Sequence, residues 1–182
     1  MKRDNSKILV VDLESTCWMG HPPNSQINEI IEIGMSIVDV KSLTIEDNIG
    51  YIVKPRNSKV SNFCTELTTI TQEMVDNGED LSIVVQKIIK TYGSKKYLWA
   101  SYGEYDKNQM KHCCNLYNAA YPFSDMHLNI KTFASMFYGI QEMGMDKLLN
   151  KLNIPLEGTH HRGIDDSYNL SKILIEILKT GR

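Results

Sequence analysis

Near the start of the chain, Lys7-Ile8-Leu9-Val10-Val11-Asp12-Leu13-Glu14 runs apolar and β-branched until it ends in two carboxylates. Such a run predicts a buried strand. Alternate residues of a strand share a face, so Asp12 and Glu14 project together, about 7 Å apart along the chain. Two anions at the end of a buried strand are costly without a counter-charge. A divalent cation supplies one, and oxygen ligands suit Mg²⁺ or Mn²⁺. A strand end that frays into water would hydrate both acids instead, and the pair alone does not choose between these readings.

The segments after the first strand set the fold class. A polar loop with Gly20, Pro22 and Pro23 leads to strands over 29–40 and 45–53, joined by a short loop as an antiparallel meander that Pro55 closes. Leu81, Val84, Val85, Ile88 and Ile89 then recur at helical spacing, with Gly93 as a stop. Residues 97–102 predict a strand, 106–115 a helix, 127–130 a short strand followed by a helix to about 138, and 145–152 a short helix. From Gly163 a last helix carries Leu170, Ile173, Leu174, Ile177 and Leu178 on one stripe. Three strands in a row and then strands alternating with helices predict an α/β domain: a mixed sheet with helices on its faces. The 182 residues suit one domain over 1–182, with no internal repeat and no linker long enough to divide it.

Composition narrows the function classes. Hydrophobic residues make up 42% and charged ones 23%, as in soluble globular proteins, and the apolar run 8–11 is far short of a membrane span. The first residues lack the apolar stretch of a secretory signal, so a cytoplasmic protein without a membrane partner is expected. Cys17, Cys64, Cys113 and Cys114 include no C-x-x-C pair, which favours free thiols over a zinc knuckle or redox pair. A net charge of −2 argues against coating long nucleic acid by bulk electrostatics. It leaves room for a local site where metal ions supply the positive charge.

Two further stretches carry chemistry. In His160-His161-Arg162-Gly163-Ile164-Asp165-Asp166, Asp166 shares the stripe of Leu170, Ile173 and Ile177 and points inward. Asp165 lines up with Asn169, Lys172 and Glu176 on the expected solvent face. A loop histidine, with an ordinary pKa of about 6.5, accepts a proton at neutral pH, but chemistry alone does not distinguish His160 from His161. In Ser101-Tyr102-Gly103-Glu104-Tyr105-Asp106-Lys107-Asn108, Asp106 by itself reads as a helix cap. Tyr105 reads either as core or as a stacking platform for a base.

In combination, Asp12 with Glu14, then Asp106, then His161 with Asp166 resembles the three motifs of the DEDDh, or DnaQ-like, 3′→5′ exonucleases, from the D-x-E start to the H-x-x-x-x-D ending. Asp-Leu-Glu-Ser-Thr-Cys-Trp (12–18), Glu-Ile-Ile-Glu-Ile-Gly (29–34) and Glu-Leu-Thr-Thr-Ile-Thr-Gln (66–72) are similar to the Eri-type branch. That branch includes the histone-mRNA and RNA-interference-linked exonucleases and bacterial KapD-like proteins. Residues 101–108 resemble its second motif and 161–169 its third. The register of the resemblance selects His161 over His160, and Arg162 stands where the tyrosine class would have Tyr. Thr69 replaces the branch's usual Gly, and Tyr102 and Tyr105 stand where it often has Trp.

The resemblance implies an RNase H-like fold whose central mixed sheet has its first three strands antiparallel. It implies metal-dependent hydrolysis at the 3′ end of single-stranded nucleic acid, RNA favoured over DNA, releasing nucleoside 5′-monophosphates. Asp12, Glu14, Asp106 and Asp166 would hold two Mg²⁺ or Mn²⁺ ions, and His161 would take the proton of the attacking water. Leu13 at the end of the first strand and Ser15, Thr16 and Trp18 after it, with Glu66 and Leu67, would hold the terminal sugar and base. Leu67 would be an apolar wedge and Tyr105 a neighbour. Lys107, Lys111 and Arg162 would meet the next phosphates. No additional nucleic-acid-binding module is expected. The competing readings are the same chemistry on DNA, a catalytically silent nucleic-acid-binding protein on this fold, and a metal-dependent phosphatase of small phosphomonoesters.

Overall fold

The strand that ends in the two acids, β1 (Lys7–Ser15), lies at the centre of a five-stranded sheet. The computed structural model describes residues 4–181. β2 (Ile30–Asp39) pairs antiparallel with β1, and β3 (Thr44–Ile52) antiparallel with β2. On the other side β4 (Leu98–Ser101) runs parallel to β1, and β5 (His127–Asn129) parallel to β4, giving the order β3-β2-β1-β4-β5. The mixed sheet and its antiparallel first half are as the sequence predicts.

Helices cover both faces. α3 (Leu81–Tyr92) and α4 (Tyr105–Leu116) pack Val84, Val85, Ile88, Met110 and Cys113 onto Leu9, Val11 and Leu13. On the opposite face α5 (Ile130–Tyr138), α6 (Met145–Lys151) and α7 (Gly163–Thr180) bury Ala134, Leu148, Leu149, Leu170, Ile173 and Leu174 against Ile8 and Val10. A strand buried on both sides reads as one continuous apolar run, which is why β1 is so plain in the sequence. Among the described residues no helix is long and apolar enough to cross a membrane. The four thiols are free.

Two helices have no counterpart in the sequence pattern: α1 (Asn62–Thr68) and α2 (Gln72–Asp76). At seven and five residues they are too short to show a stripe. Their starts are nevertheless signalled, since Ser61 and Thr71 each accept a hydrogen bond from the backbone N–H three residues on. α1 ends at Thr69 with φ 63°, a left-handed position that favours glycine over a β-branched residue.

Two expectations are corrected. Asp106 is not a cap: α4 begins at Tyr105, and the Asp106 carboxylate accepts the N–H of Leu13 instead, 3.0 Å away. Asp165, Lys172 and Glu176 are half-buried, whereas Asn169 is fully buried and does not belong to the solvent face expected of it. The loop before α7 folds back over it: Asn169 donates to the carbonyl of Glu157 and accepts its N–H, while Asp165 accepts the N–H of Thr159.

α7 reaches the sheet through a contact between two glycines. A Cβ on Gly34 of β2 would lie 1.9 Å from the carbonyl carbon of Gly163, the first residue of α7. Backbone thus rests on backbone, and the helix starts directly over the end of β1. Gly34→Ala should destabilise the protein by roughly 2–3 kcal/mol or more, because neither backbone can yield to that overlap without moving α7. Urea denaturation measures this, and a midpoint equal to that of the wild type would refute the contact.

Candidate active site

The register of β1 on β2 sets Asp12 opposite Gly34 and Glu14 opposite Glu32, all on the face that α7 covers. Because Gly34 lets the first turn of α7 come down there, Asp166 arrives above the two acids of β1. One carboxylate oxygen from each of Asp12, Glu14 and Asp166 lies within 4.8 Å of the others. The fourth acid, Asp106, is 5% exposed and enters from the first turn of α4. It stays outside that cluster of three oxygens, tied to the Leu13 N–H.

Four carboxyl groups held this closely repel one another and have lost most of their water. Burial, and then the charges of Asp106 and Asp166, push Asp12 well above the usual carboxylate range. Burial, and then the charges of Asp166 and Glu32, push Glu14 up to about 9. Burial raises Asp106 to about 6. It also raises Asp166, against the opposing pull of His160 and the His161 N–H. An all-oxygen donor set with uncompensated negative charge fits a hard divalent cation.

The two histidines divide their contacts. His161 takes a left-handed backbone, φ 66°, and its N–H donates to Asp166 Oδ2 at 2.9 Å. The imidazole bonded to Asp166 belongs to His160, with Nδ1 3.1 and 3.2 Å from the two carboxylate oxygens. The His161 ring stacks on it at 4.0 Å. Burial, and then the neighbouring His160, lower the pKa of His161.

The remaining expected residues are placed unevenly. Leu13 is buried in the opposite core layer, so only its backbone faces the acids. Ser15 is buried beside Glu14. Thr16 is fully buried, its hydroxyl donating to the Ile27 carbonyl and accepting the Glu29 N–H. Trp18 is half-buried. Glu66 and Leu67 are exposed on α1, which is tied to the loop after β1 by Ser61 Oγ donating to the Cys17 carbonyl at 2.6 Å. Tyr105 is 52% exposed and donates to Asn28 Oδ1. Arg162 turns inward onto Glu32, and Lys107 pairs with Glu104. Glu32 lies within the 29–34 stretch that resembles the Eri-type branch, but the sequence motifs give neither it nor His160 a task. The available signal for Glu32 is an acid two residues from Gly34, on the same face of an otherwise apolar strand.

The raised acids make stability depend on pH. Glu14 titrates at about 9 when folded and near 4.5 when unfolded. Between those values the folded chain holds a proton that the unfolded chain has released, so stability is intact below the lower value and declines as pH rises toward the upper. The melting temperature of the chelator-treated protein should therefore fall from about pH 5 to about pH 9, and Glu14→Gln should flatten that slope. Added divalent cation should raise the melting temperature most at the alkaline end. Scanning fluorimetry checks both, and a Glu14→Gln protein with the wild-type slope would contradict the assignment.

The Exonuclease family (RNase_T) matches residues 9–174. Human 3′-5′ exoribonuclease 1 is 33% identical to the chain, over 96% of this chain and 53% of that protein. The chain thus spans about half the length of that relative. The 3′-5′ exonuclease eri1 of Schizosaccharomyces pombe is 29% identical, over 92% of this chain and 66% of that one. Among solved structures, the nuclease domain of 3′hExo, a DEDDh family member bound to rAMP, superposes with a TM-score of 0.90 at 31% identity, covering 100% of this chain and 96% of that chain. Cell-death related nuclease 4 shares the fold, with a TM-score of 0.83 at 21% identity. The match runs from Leu9 in β1 to Leu174 in α7, and the chain belongs to the Exonuclease family, in its DEDDh, Eri-type branch, with the RNase H-like fold of that branch.

Proposed function

We propose that the chain is a metal-dependent 3′→5′ exonuclease that removes nucleoside 5′-monophosphates from the 3′ end of single-stranded nucleic acid, with RNA favoured. The observation that carries this reading is the cluster of Asp12, Glu14 and Asp166, one buried and two half-buried carboxylates whose oxygens lie within 4.8 Å of one another and of which Asp12 and Glu14 are held well above the usual carboxylate range. RNA is favoured by the kinship with human 3′-5′ exoribonuclease 1 and by the likeness to a nuclease domain bound to rAMP.

Asp12, Glu14 and Asp166 would hold one Mg²⁺ or Mn²⁺ ion, and Asp106, with Asp12 shared, would hold a second, directly or through water. Such ions, when bound, acidify the attacking water, stabilise the departing 3′ oxygen and screen phosphate from the acids. The protein's own part is positional. The strand end and the first turn of α7 bring three of the oxygens together, and the first turn of α4 holds Asp106 beside them. His161, whose pKa is lowered by burial and by the neighbouring His160, accepts the proton of the attacking water on its imidazole. His160 stays bonded to Asp166. Leu67, exposed on α1, offers an apolar surface to the terminal base, and the Glu66 carboxylate beside it offers acceptors to its sugar.

Incubation with 5′-labelled single-stranded RNA, DNA and hairpins, in Mg²⁺, Mn²⁺ or chelator, tests this reading on one gel. A ladder shortening from the 3′ end, faster on RNA and absent in chelator, is expected. Release of phosphate from mononucleotides without such a ladder would favour a phosphatase. Asp12→Ala, Asp166→Ala and His161→Ala should each lower turnover by about 10²-fold or more in a folded protein. Full activity in any of the three would remove that residue from the mechanism.

A further inference from the structure

Glu32 is a fifth carboxylate beside the cluster, and the sequence motifs give it no task. It is 1% exposed, directly across from Glu14, and its charge adds to the repulsion that raises both Glu14 and Asp12. A buried ion pair is weak support for a fold, since an apolar residue of similar size serves as well or better. Its bonding suggests what it is for. Glu32 accepts Arg162 Nε at 3.1 Å and Nη2 at 3.0 Å, a two-pronged pair, and the Gly163 N–H at 2.8 Å. Those donors belong to the two residues that join His161 to the body of α7. The remaining terminal nitrogen of the guanidinium, Nη1, lies 3.4 Å from Thr69 Oγ at the end of α1. One acid on the sheet thus fixes the entry into α7 and, through Arg162, the segment that carries Glu66 and Leu67. The fork of a guanidinium on a carboxylate holds direction as well as distance.

We propose that Glu32 is a positioning residue for the hydrolysis: through Arg162 and Gly163 it fixes the first turn of α7, so that Asp166 meets Asp12 and Glu14 and His161 is held in its left-handed turn. This rests on the nuclease reading above. It also assigns Arg162 a task different from the phosphate contact expected from sequence, because two of its three guanidinium nitrogens are committed to Glu32.

The test compares wild type, Glu32→Gln, Arg162→Gln and the double variant. Glutamine at 32 retains an acceptor for the Gly163 N–H while removing the charge that holds Arg162. Three readouts are taken: kcat and KM on 5′-labelled RNA, Mn²⁺ affinity by electron paramagnetic resonance without substrate, and melting temperature in chelator. Each single change should lower kcat and Mn²⁺ affinity by about 10–100-fold, the range for groups that orient metal ligands. KM should stay within about twofold, and the double variant should be no worse than the worse single one, because both act through one pair. A raised KM with unchanged kcat in Arg162→Gln would make Arg162 a substrate contact and overturn the proposal. Losses that multiply in the double variant, or unchanged kcat and Mn²⁺ affinity, would do the same. If Glu32→Gln does not fold, Arg162→Gln, at a half-buried position, decides through the same kcat, KM and Mn²⁺ readouts. Asp12→Ala separates the two levels. A wild type that neither cleaves nor binds Mn²⁺ refutes the nuclease reading and the positioning role together. An active wild type, silenced by Asp12→Ala but indifferent at 32 and 162, refutes positioning alone.

Discussion

Gly34 and Gly163 meet with no side chain between them, and the rest of the site depends on how close that contact is. A helix packed on a sheet through ordinary side chains stands about 10 Å away. At that distance an aspartate in its first turn would not share space with acids on the strand. The paired glycines remove the spacer at one point only. Farther along, Ile173 and Leu174 restore normal packing on Ile8 and Val10. α7 is thus anchored by a conventional core at its body and brought down onto the sheet at its beginning. The chemistry sits where the separation is least.

The acids crowded together there are partly answered by the backbone. Leu13 N–H donates to Asp106, His161 N–H to Asp166 and Gly163 N–H to Glu32. Asp106 and Asp166, the two acids that do not come from a strand, both lie in the first turn of a helix, where the dipole favours negative charge. Asp12 and Glu14 have no helix start of their own, and Glu14 is pushed as high as about 9. The imbalance falls on the strand acids. A cation is therefore most needed over the end of β1, whatever the net charge of the chain as a whole.

How much of this was legible depended on whether a residue's environment came from its own segment or from elsewhere. β1 and β2 show their burial as continuous apolar runs and α3 and α7 as a stripe, and Asp12, Glu14 and Asp166 could be placed on faces from those patterns alone. α1 and α2 are held by loop contacts and side-chain caps, so no stripe marked them. Asp106 looked like a cap because its real partner, the Leu13 N–H, lies 93 residues away. Asn169 looked solvent-facing because the loop that buries it folds back from residue 157. Glu32 stood inside the 29–34 stretch but without a task for a related reason: an acid in an apolar strand gains meaning only when Arg162 is known to reach it.

Thr69 shows how a departure from the family pattern acts at this site. In the left-handed position that ends α1, glycine carries no steric penalty, whereas threonine is crowded by its β-branch. Threonine brings in return a hydroxyl within 3.4 Å of Arg162, the guanidinium held on Glu32. The substitution therefore replaces freedom at the end of α1 with a link from α1 to the start of α7. The acids themselves are untouched by it. Its consequences fall on the relation between Leu67, exposed on α1, and the turn that carries His161. Variation at position 69 thus acts on how α1 is held against the start of α7, while the grouping of the carboxylates is governed by the glycine contact beneath α7.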